Sequence, residues 1–458
     1  MTVMPQRGGS VVDATESTVP SGPSSRAVGG TWHAPSPGML TDRYELTMYS
    51  SFVEDGSVDD HSVFEAFARR LPPGRRYGLL AGLGRLIPLI ADFGFDEDEI
   101  GYLLQVGAIT PKAADRLADF RFSGDLTAYP EGEIYVPGSP VLTAEGPLGE
   151  CLLLETLVLS VLNHDTAVAS AAARMVTAAG DRPIIEMGSR RTHEMSAIAA
   201  TRAAYLAGFG STSNLAGGHL YDIPTVGTVA HAFILSHESE RAAFASQVAA
   251  LGVGTTLLVD TYDIEQGIRT AVEVAGSGLG AIRIDSGDLD IESRRARALL
   301  DELGATGTRI VVTSDLDEYV ITALGAAPID GFGVGTRVVT GSGHPTAGMV
   351  YKLVAVADRP GADAPLRPVA KKASGKGSAG GRKTAYRRGD GSEGFTLDGT
   401  VPPDARPLQV PVIRGGEIVH NPALDEIRGY ARAVVEALPA SARDVADGTP
   451  FTTATEED

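Results

Sequence analysis

Between about Leu152 and Val356 the chain repeats one pattern: a short apolar run, a polar or glycine-rich turn, then a stretch of helical period. The apolar runs are Pro183–Met187, Phe209–Ser213, Pro224–Thr228, Thr255–Val259, Ala281–Ile284, Arg309–Thr313 and Gly331–Gly335. Helix-period segments lie between them, at Met195–Leu206, Ala232–Leu251, Ile264–Ala275, Ile291–Leu303 and Glu318–Leu324. Parallel strands need crossover connections, and helices then cover the sheet. The alternation therefore predicts an α/β fold with a parallel sheet, closed as a barrel or doubly wound.

The residues that follow each run carry the functional signal. They are Gly188-Ser189-Arg190-Arg191, Ser213-Asn214, Thr228 with His231, Asp260 with Asp263, Asp285-Ser286-Gly287-Asp288, Ser314-Asp315 and Gly335-Thr336-Arg337. In a β/α barrel these positions converge on one mouth, where active sites are built. Helix capping accounts for Ser213, Asp263, Asp288 or Ser314 taken singly, but not for the whole set. An isolated histidine is ordinarily structural. His231, however, begins a helix at this mouth among arginines and aspartates, and imidazole near neutrality is both nucleophile and proton carrier. Asp260, Asp285 and Asp288 are a set that could share a magnesium bridging substrate phosphates, because that ion takes few carboxylates and keeps its waters. No His-Glu-x-x-His occurs, and the nine histidines show no ligand spacing.

Around this core the chain divides by composition. Residues 1–36, rich in Ser, Gly, Pro and Thr with no apolar segment, are expected to be a disordered extension without a signal peptide. Residues 37–150 read as an α/β domain: a helix at Arg43–Val53 capped by Asp42, a strand at Ser62–Arg69, a helix at Tyr77–Leu89, then short strands from Phe122 to Pro147. The barrel spans 151–357. Residues 358–442, expected to pack with the N-terminal domain, hold a Pro/Ala-rich linker, the basic glycine-rich Lys371–Arg388, strands near Pro407–Val412 and a helix near Asp425–Ala437; 443–458 is a flexible tail. Gly377–Thr384 nearly spells a P-loop, but Arg382 replaces its second glycine and no strand precedes it.

Composition excludes other classes. The formal net charge of −19 argues against nucleic acid or an anionic membrane as partner. Local arginines and backbone amides can still hold phosphate. The longest apolar run contains Glu155 and reads as too short for a membrane span. The single cysteine, Cys151, allows no intramolecular disulfide; it heads an apolar stretch and reads as a buried inert thiol, in keeping with a reducing cytosol.

Eight blocks, in order, carry a specific resemblance: Met39–Met48 (MLTDRYELTM), Gly188–Arg191 (GSRR), Gly208–Asn214 (GFGSTSN), Gly227–His231 (GTVAH), Leu258–Asp263 (LVDTYD), Arg283–Leu289 (RIDSGDL), Gly333–Thr336 (GVGT) and Val350–Leu353 (VYKL). Together they resemble the signature blocks of nicotinate phosphoribosyltransferases. The resemblance implies an irregular, TIM-like β/α barrel plus a mixed α/β domain built from N- and C-terminal segments, in a cytoplasmic homodimer with shared active sites. It implies ATP-dependent synthesis of nicotinate mononucleotide, ADP, phosphate and pyrophosphate from nicotinate and phosphoribosyl pyrophosphate, the first step of NAD salvage from nicotinate, with Mg2+.

The same resemblance assigns roles. His231 matches the histidine phosphorylated by ATP, and Tyr44 the aromatic that a neighbouring subunit stacks on nicotinate. Arg190 and Arg283 match clamps for carboxylate and phosphates, which suit the guanidinium fork. Asp260 and Asp285 match contacts to ribose hydroxyls and magnesium; Asn214, Thr228 and Ser286 join the substrate contacts. Gly333, Gly335 and Thr336 face the 5′-phosphate, and Lys372, with Ser374 and Lys376, the pyrophosphate side. Met187 stands where the family commonly has a second stacking aromatic. Ser213 stands where nicotinamide phosphoribosyltransferases, the nearest rival, place an acid. The other rival is a non-catalytic pyridine- or phosphate-binding relative, against which His231, Arg190, Arg283 and Asp285 stand together.

Overall fold

Six of the expected runs form one parallel sheet in the computed structural model, which describes residues 35–371 and 379–457. Lys372, Ser374, Lys376 and nearly all of the expected N-terminal extension lie outside the described residues. Along the sheet the order is Ser211–Thr212, Ile184–Glu186, Gly331–Val334, Arg309–Thr313, Ala281–Ile284, Thr256–Leu258. The last strand in sequence pairs with the first, Val334 beside Glu186. That is barrel order, so the sheet is a curled half-barrel and not a doubly wound one. Its seam falls at Pro224–Thr228, where only an isolated bridge, Thr212 to Thr225, replaces the expected strand. Pro224 has no N–H to donate, and the segment through Gly227 is exposed. The chain leaves this open seam directly into His231.

The crossover helices match the periodicity, with one break. The expected helix Ala232–Leu251 is two, His231–Leu235 and Glu240–Leu251, because Ser239 caps the second through the Ala242 amide at 3.2 Å. Tyr77–Leu89 also differs. Gly78–Leu79 pairs as a strand with Ile134–Tyr135, and the helix begins only at Leu83, after Gly82 at φ +110°. Thr166 holds this turn, exchanging hydrogen bonds with both the amide and the carbonyl of Ala81.

A second, antiparallel sheet interleaves both ends of the chain. Its order is Arg367–Pro368, Met349–Val356, His61–Ala68, Leu142–Pro147, Asp125–Ala128, Val410–Arg414, Glu417–Ile418. A four-stranded sheet adds Ala405–Pro407, Thr384–Arg388, Glu393–Thr396 and Thr455–Glu456. The segment expected as a flexible tail thus supplies a strand, and Glu457 takes both guanidinium ends of Arg388 at 2.6 Å.

The two main sheets share one spine. Helices Leu148–Leu153 and Glu155–Ala179 are long and apolar enough, by length and composition, to cross a membrane, contrary to the reading of this run as too short. Most of that stretch is buried inside the protein instead. Leu157, Val158, Val161 and Leu162 belong to the core under the antiparallel sheet, whereas Val168, Ala172 and Met175 belong to the core behind the barrel. Small residues at Ala167, Ala169, Ala171 and Ala173 let its second half lie close to the neighbouring elements. Cys151 is fully buried at the first turn, and desolvation pushes its thiol pKa up, away from reactivity.

Candidate active site

Asp260, just beyond the Thr256–Leu258 strand, organises the mouth. Its side chain is buried, and its Oδ1 meets His231 Nε2 at 3.1 Å. Its Oδ2 accepts the Asp285 amide at 2.9 Å and the Ser286 hydroxyl at 2.7 Å. A carboxylate only accepts, so Nε2 carries the proton in this pairing, and whenever the ring is neutral its lone pair is on Nδ1. The His231 side chain is 41% exposed: tethered on one edge, open on the other. That arrangement presents a nucleophilic nitrogen in a fixed orientation.

Beside it, Arg283 and Asp285 leave the end of the Ala281–Ile284 strand. Arg283 Nη2 lies 3.3 Å from Asp285 Oδ1, and Arg283 Nε donates to the Thr313 hydroxyl at 2.9 Å. Thr313 in turn donates to the same Asp285 oxygen. Desolvation works against the ionised carboxyl of Asp285, but the Thr313 hydroxyl, Arg283 and His231 outweigh it and hold its pKa below the ordinary value. Met187 and Gly333 close the floor. A Cβ on Gly333 would sit 2.6 Å from Thr313 Cγ2 and 2.7 Å from Met187 Sδ, so only glycine lets those side chains meet. Gly335 is similarly close, 3.0 Å, to the Met187 carbonyl.

A buried carboxylate braces the other side of the mouth. Glu186 Oε1 accepts the Gly188 amide at 2.5 Å, and Oε2 accepts the Thr212 hydroxyl at 2.6 Å. Thr212 also receives the Asn214 amide at 2.9 Å, and Asn214 Nδ2 reaches Ser189 Oγ at 2.9 Å. Two loops are thereby tied together, one carrying Arg190 and one carrying Ser213. Burial raises the Glu186 pKa, opposed by the bonds from Thr212 and Gly188 and by a third from the Thr201 hydroxyl at 3.2 Å. Arg190 and Ser213 stand exposed, and the Arg190 guanidinium has no partner among the described residues.

Several expected groups are not joined to this constellation by contacts. Thr228 bonds only to the neighbouring Val229 carbonyl, and Thr336 opens the short helix Thr336–Val339. Tyr44, on helix Arg43–Asp55, is 46% exposed. Its surroundings are acidic: desolvation, then the charges of Glu155, Glu45 and Asp42, push its phenol pKa up. Asp42 sits at the N-cap of this helix but makes no side-chain capping bond. Capping does account for Asp263, which takes the Gln266 amide, and for Asp288, which takes the Asp290 and Ile291 amides. Both caps use Asp288 Oδ1. Asn214 and Asp317, rather than Ser213 and Ser314, cap the next helices. Among the described residues no cluster of three or more His, Cys, Asp or Glu could hold a metal.

Taken together, the half-barrel and the histidine, arginine and carboxylates at its strand ends define a phosphoribosyl-transfer type of barrel. The family model for the nicotinate phosphoribosyltransferase N-terminal domain matches residues 39–163. Nicotinate phosphoribosyltransferase pncB1 of Mycobacterium tuberculosis is 52% identical over 430 residues, covering 90% of this chain and 94% of that protein. The Bacillus subtilis nicotinate phosphoribosyltransferase is 37% identical over 358 residues, covering 76% and 72%. The crystal structure of human nicotinic acid phosphoribosyltransferase superposes with a TM-score of 0.77 at 25% identity, covering 91% of this chain and 98% of that one. The chain belongs to the nicotinate phosphoribosyltransferase family.

Proposed function

We propose that this enzyme joins nicotinate to phosphoribosyl pyrophosphate, forming nicotinate mononucleotide and pyrophosphate. ATP hydrolysis drives the step through His231, and the setting is the cytoplasm, at the entry of nicotinate into NAD. The observation that carries the reading is the tethered, half-open imidazole of His231 beside Arg283 and Asp285. In the first half-reaction, Nδ1 attacks the γ-phosphorus of ATP and ADP leaves; later hydrolysis of the phosphohistidine releases phosphate. The glycosyl step needs no general base, because the pyridine nitrogen of nicotinate is already the nucleophile. Pyrophosphate leaves through an oxocarbenium-like ribose, so the protein mainly positions two anions and neutralises the leaving group.

Arg190 supplies an uncommitted guanidinium for the nicotinate carboxylate. Asp285 keeps Oδ2 free for a ribose hydroxyl or for magnesium, whereas both oxygens of Asp260 are engaged. Asp285 is thus the residue that would hold magnesium, which would neutralise phosphate charge. An uncharged Ser213 favours the acid over the amide, since a carboxylate there would repel nicotinate. Tyr44, exposed and joined to the mouth by no contact among the described residues, suits a site completed by a second copy. The deciding experiment is product analysis with nicotinate and nicotinamide side by side. Nicotinate should be turned over far faster; equal rates would remove the argument from Ser213, and no mononucleotide from either would remove the reading.

A further inference from the structure

Thr313 ends the Arg309–Thr313 strand and looks, from sequence, like one more sheet residue. Its one hydroxyl proton goes to Asp285 Oδ1, and its oxygen lone pair receives Arg283 Nε–H. Arg283 and Asp285 are two residues apart and already 3.3 Å from each other. Unassisted, such a pair tends to close into a bidentate fork, with both carboxylate oxygens consumed by one guanidinium. In this structure the hydroxyl occupies Nε and directs Asp285 Oδ1. Arg283 then approaches the carboxylate through Nη2 at Oδ1, and Oδ2 accepts no hydrogen bond among the described residues.

We propose that Thr313 is the positioning residue that keeps the Arg283–Asp285 pair from closing on itself, so that both groups remain available to the phosphoribosyl substrate. The Thr313 side chain is well placed for this because its methyl group is seated in the notch left by Gly333, which fixes the rotamer. Thr313 need touch no substrate atom. Its effect passes through the two charged groups it spaces.

The inference rests on the reading that Arg283 and Asp285 serve the phosphoribosyl substrate, and the test separates the two. The full-length enzyme is compared with T313V, which keeps the shape and loses the hydroxyl, and T313S, which keeps the hydroxyl and loses the methyl. Losing a hydrogen bond to charged partners corresponds to about a 10- to 100-fold effect. T313V should lose that factor in kcat/KM for phosphoribosyl pyrophosphate, with KM for nicotinate changed much less, while T313S stays within about threefold of wild type. T313V activity within threefold of wild type would overturn the proposal, as would a T313S loss equal to that of T313V, which would assign the effect to methyl packing. Should T313V fail to fold, T313A set against T313S isolates the hydroxyl on a small side chain. A wild type that makes no nicotinate mononucleotide would instead sink the underlying reading.

Discussion

The two ends of the barrel use arginine in opposite ways. At the start of the strands, Arg182, Arg428 and Arg443 line a cleft of about 500 Å³ beneath the Leu424–Glu436 helix, with a fourth arginine, Arg432, paired to Glu436 at 2.7 Å. By charge alone it resembles an anion site. Yet the other three are committed to backbone carbonyls where a helix ends. Arg182 Nε reaches Ala179 O at 3.0 Å, Arg428 binds the carbonyls of Tyr205, Gly208 and Phe209, and Arg443 Nε reaches Leu438 O at 3.1 Å. Helix C-termini carry unpaired carbonyls and partial negative charge, which arginine satisfies. At the mouth the order is reversed among the described residues: Arg190 has no protein partner, Arg283 is held by a single hydroxyl and one carboxylate oxygen, and His231 is tethered on one edge only. Uncommitted donors, rather than arginines as such, distinguish a site from a brace.

The sharpest way to break this contrast is His231→Asn. Substrate-stimulated ATP hydrolysis should fall to background, while slow, ATP-independent mononucleotide synthesis survives because the groups that stabilise the ribose cation remain. ADP and mononucleotide are followed separately, and acid-labile phosphate is sought on the wild type. ATP hydrolysis still in step with synthesis would move the phosphoryl relay to another residue.

A paired comparison tests the two arginine classes next. Arg190→Ala should raise the KM for nicotinate by about 10- to 100-fold, the cost of a charge-assisted hydrogen bond, with little change in Tm. Arg428→Ala should do the reverse, costing roughly 1–3 kcal/mol of stability as buried carbonyls lose their donor, with KM for nicotinate unmoved. If Arg428→Ala alters substrate binding and not Tm, the far cleft is a site after all.

The smallest expected signal concerns whether the mouth is finished by a neighbour. Tyr44→Ala and His231→Ala, each expected to lack ATP-coupled synthesis, are mixed under conditions of demonstrated subunit exchange, and ATP-coupled synthesis is followed. Random pairing makes half of the dimers hybrid, each with one intact site of two, so recovery should approach about a quarter of wild-type activity. Absence of rescue would put Tyr44 in its own subunit's site or in none.

Much of this is legible in the sequence. The β/α alternation survives in a single sequence because strand and helix periods differ, and loop residues after strands stand out against apolar runs. His231, Asp260, Asp285 and Ser286 stand out in that way, Arg283 only through the resemblance of its block, and contacts join the five. Thr313 and Glu186 do not stand out, because each lies inside a run that reads as sheet, RIVVT and PIIEM. The signal was present in PIIEM, where a carboxylate interrupts a strand otherwise apolar, and a buried carboxylate needs donors that only a packed structure supplies. Pro224–Thr228 failed as a strand for a reason the sequence also held: a proline that cannot donate. Gly78–Leu79 failed as helix because a tertiary partner, Ile134–Tyr135, outbids local propensity.

The Glu155–Ala179 helix sets a limit on taking this enzyme apart. With Leu157 and Val161 in one core and Val168 and Met175 in the other, any scission along it strips an apolar face from both products. A barrel fragment expressed without residues 36–150 would carry the near half of that rod bare and tend to aggregate. The melting of the intact chain should accordingly be one cooperative transition, with calorimetric and van't Hoff enthalpies in agreement, although two sheets lie on either side of the rod.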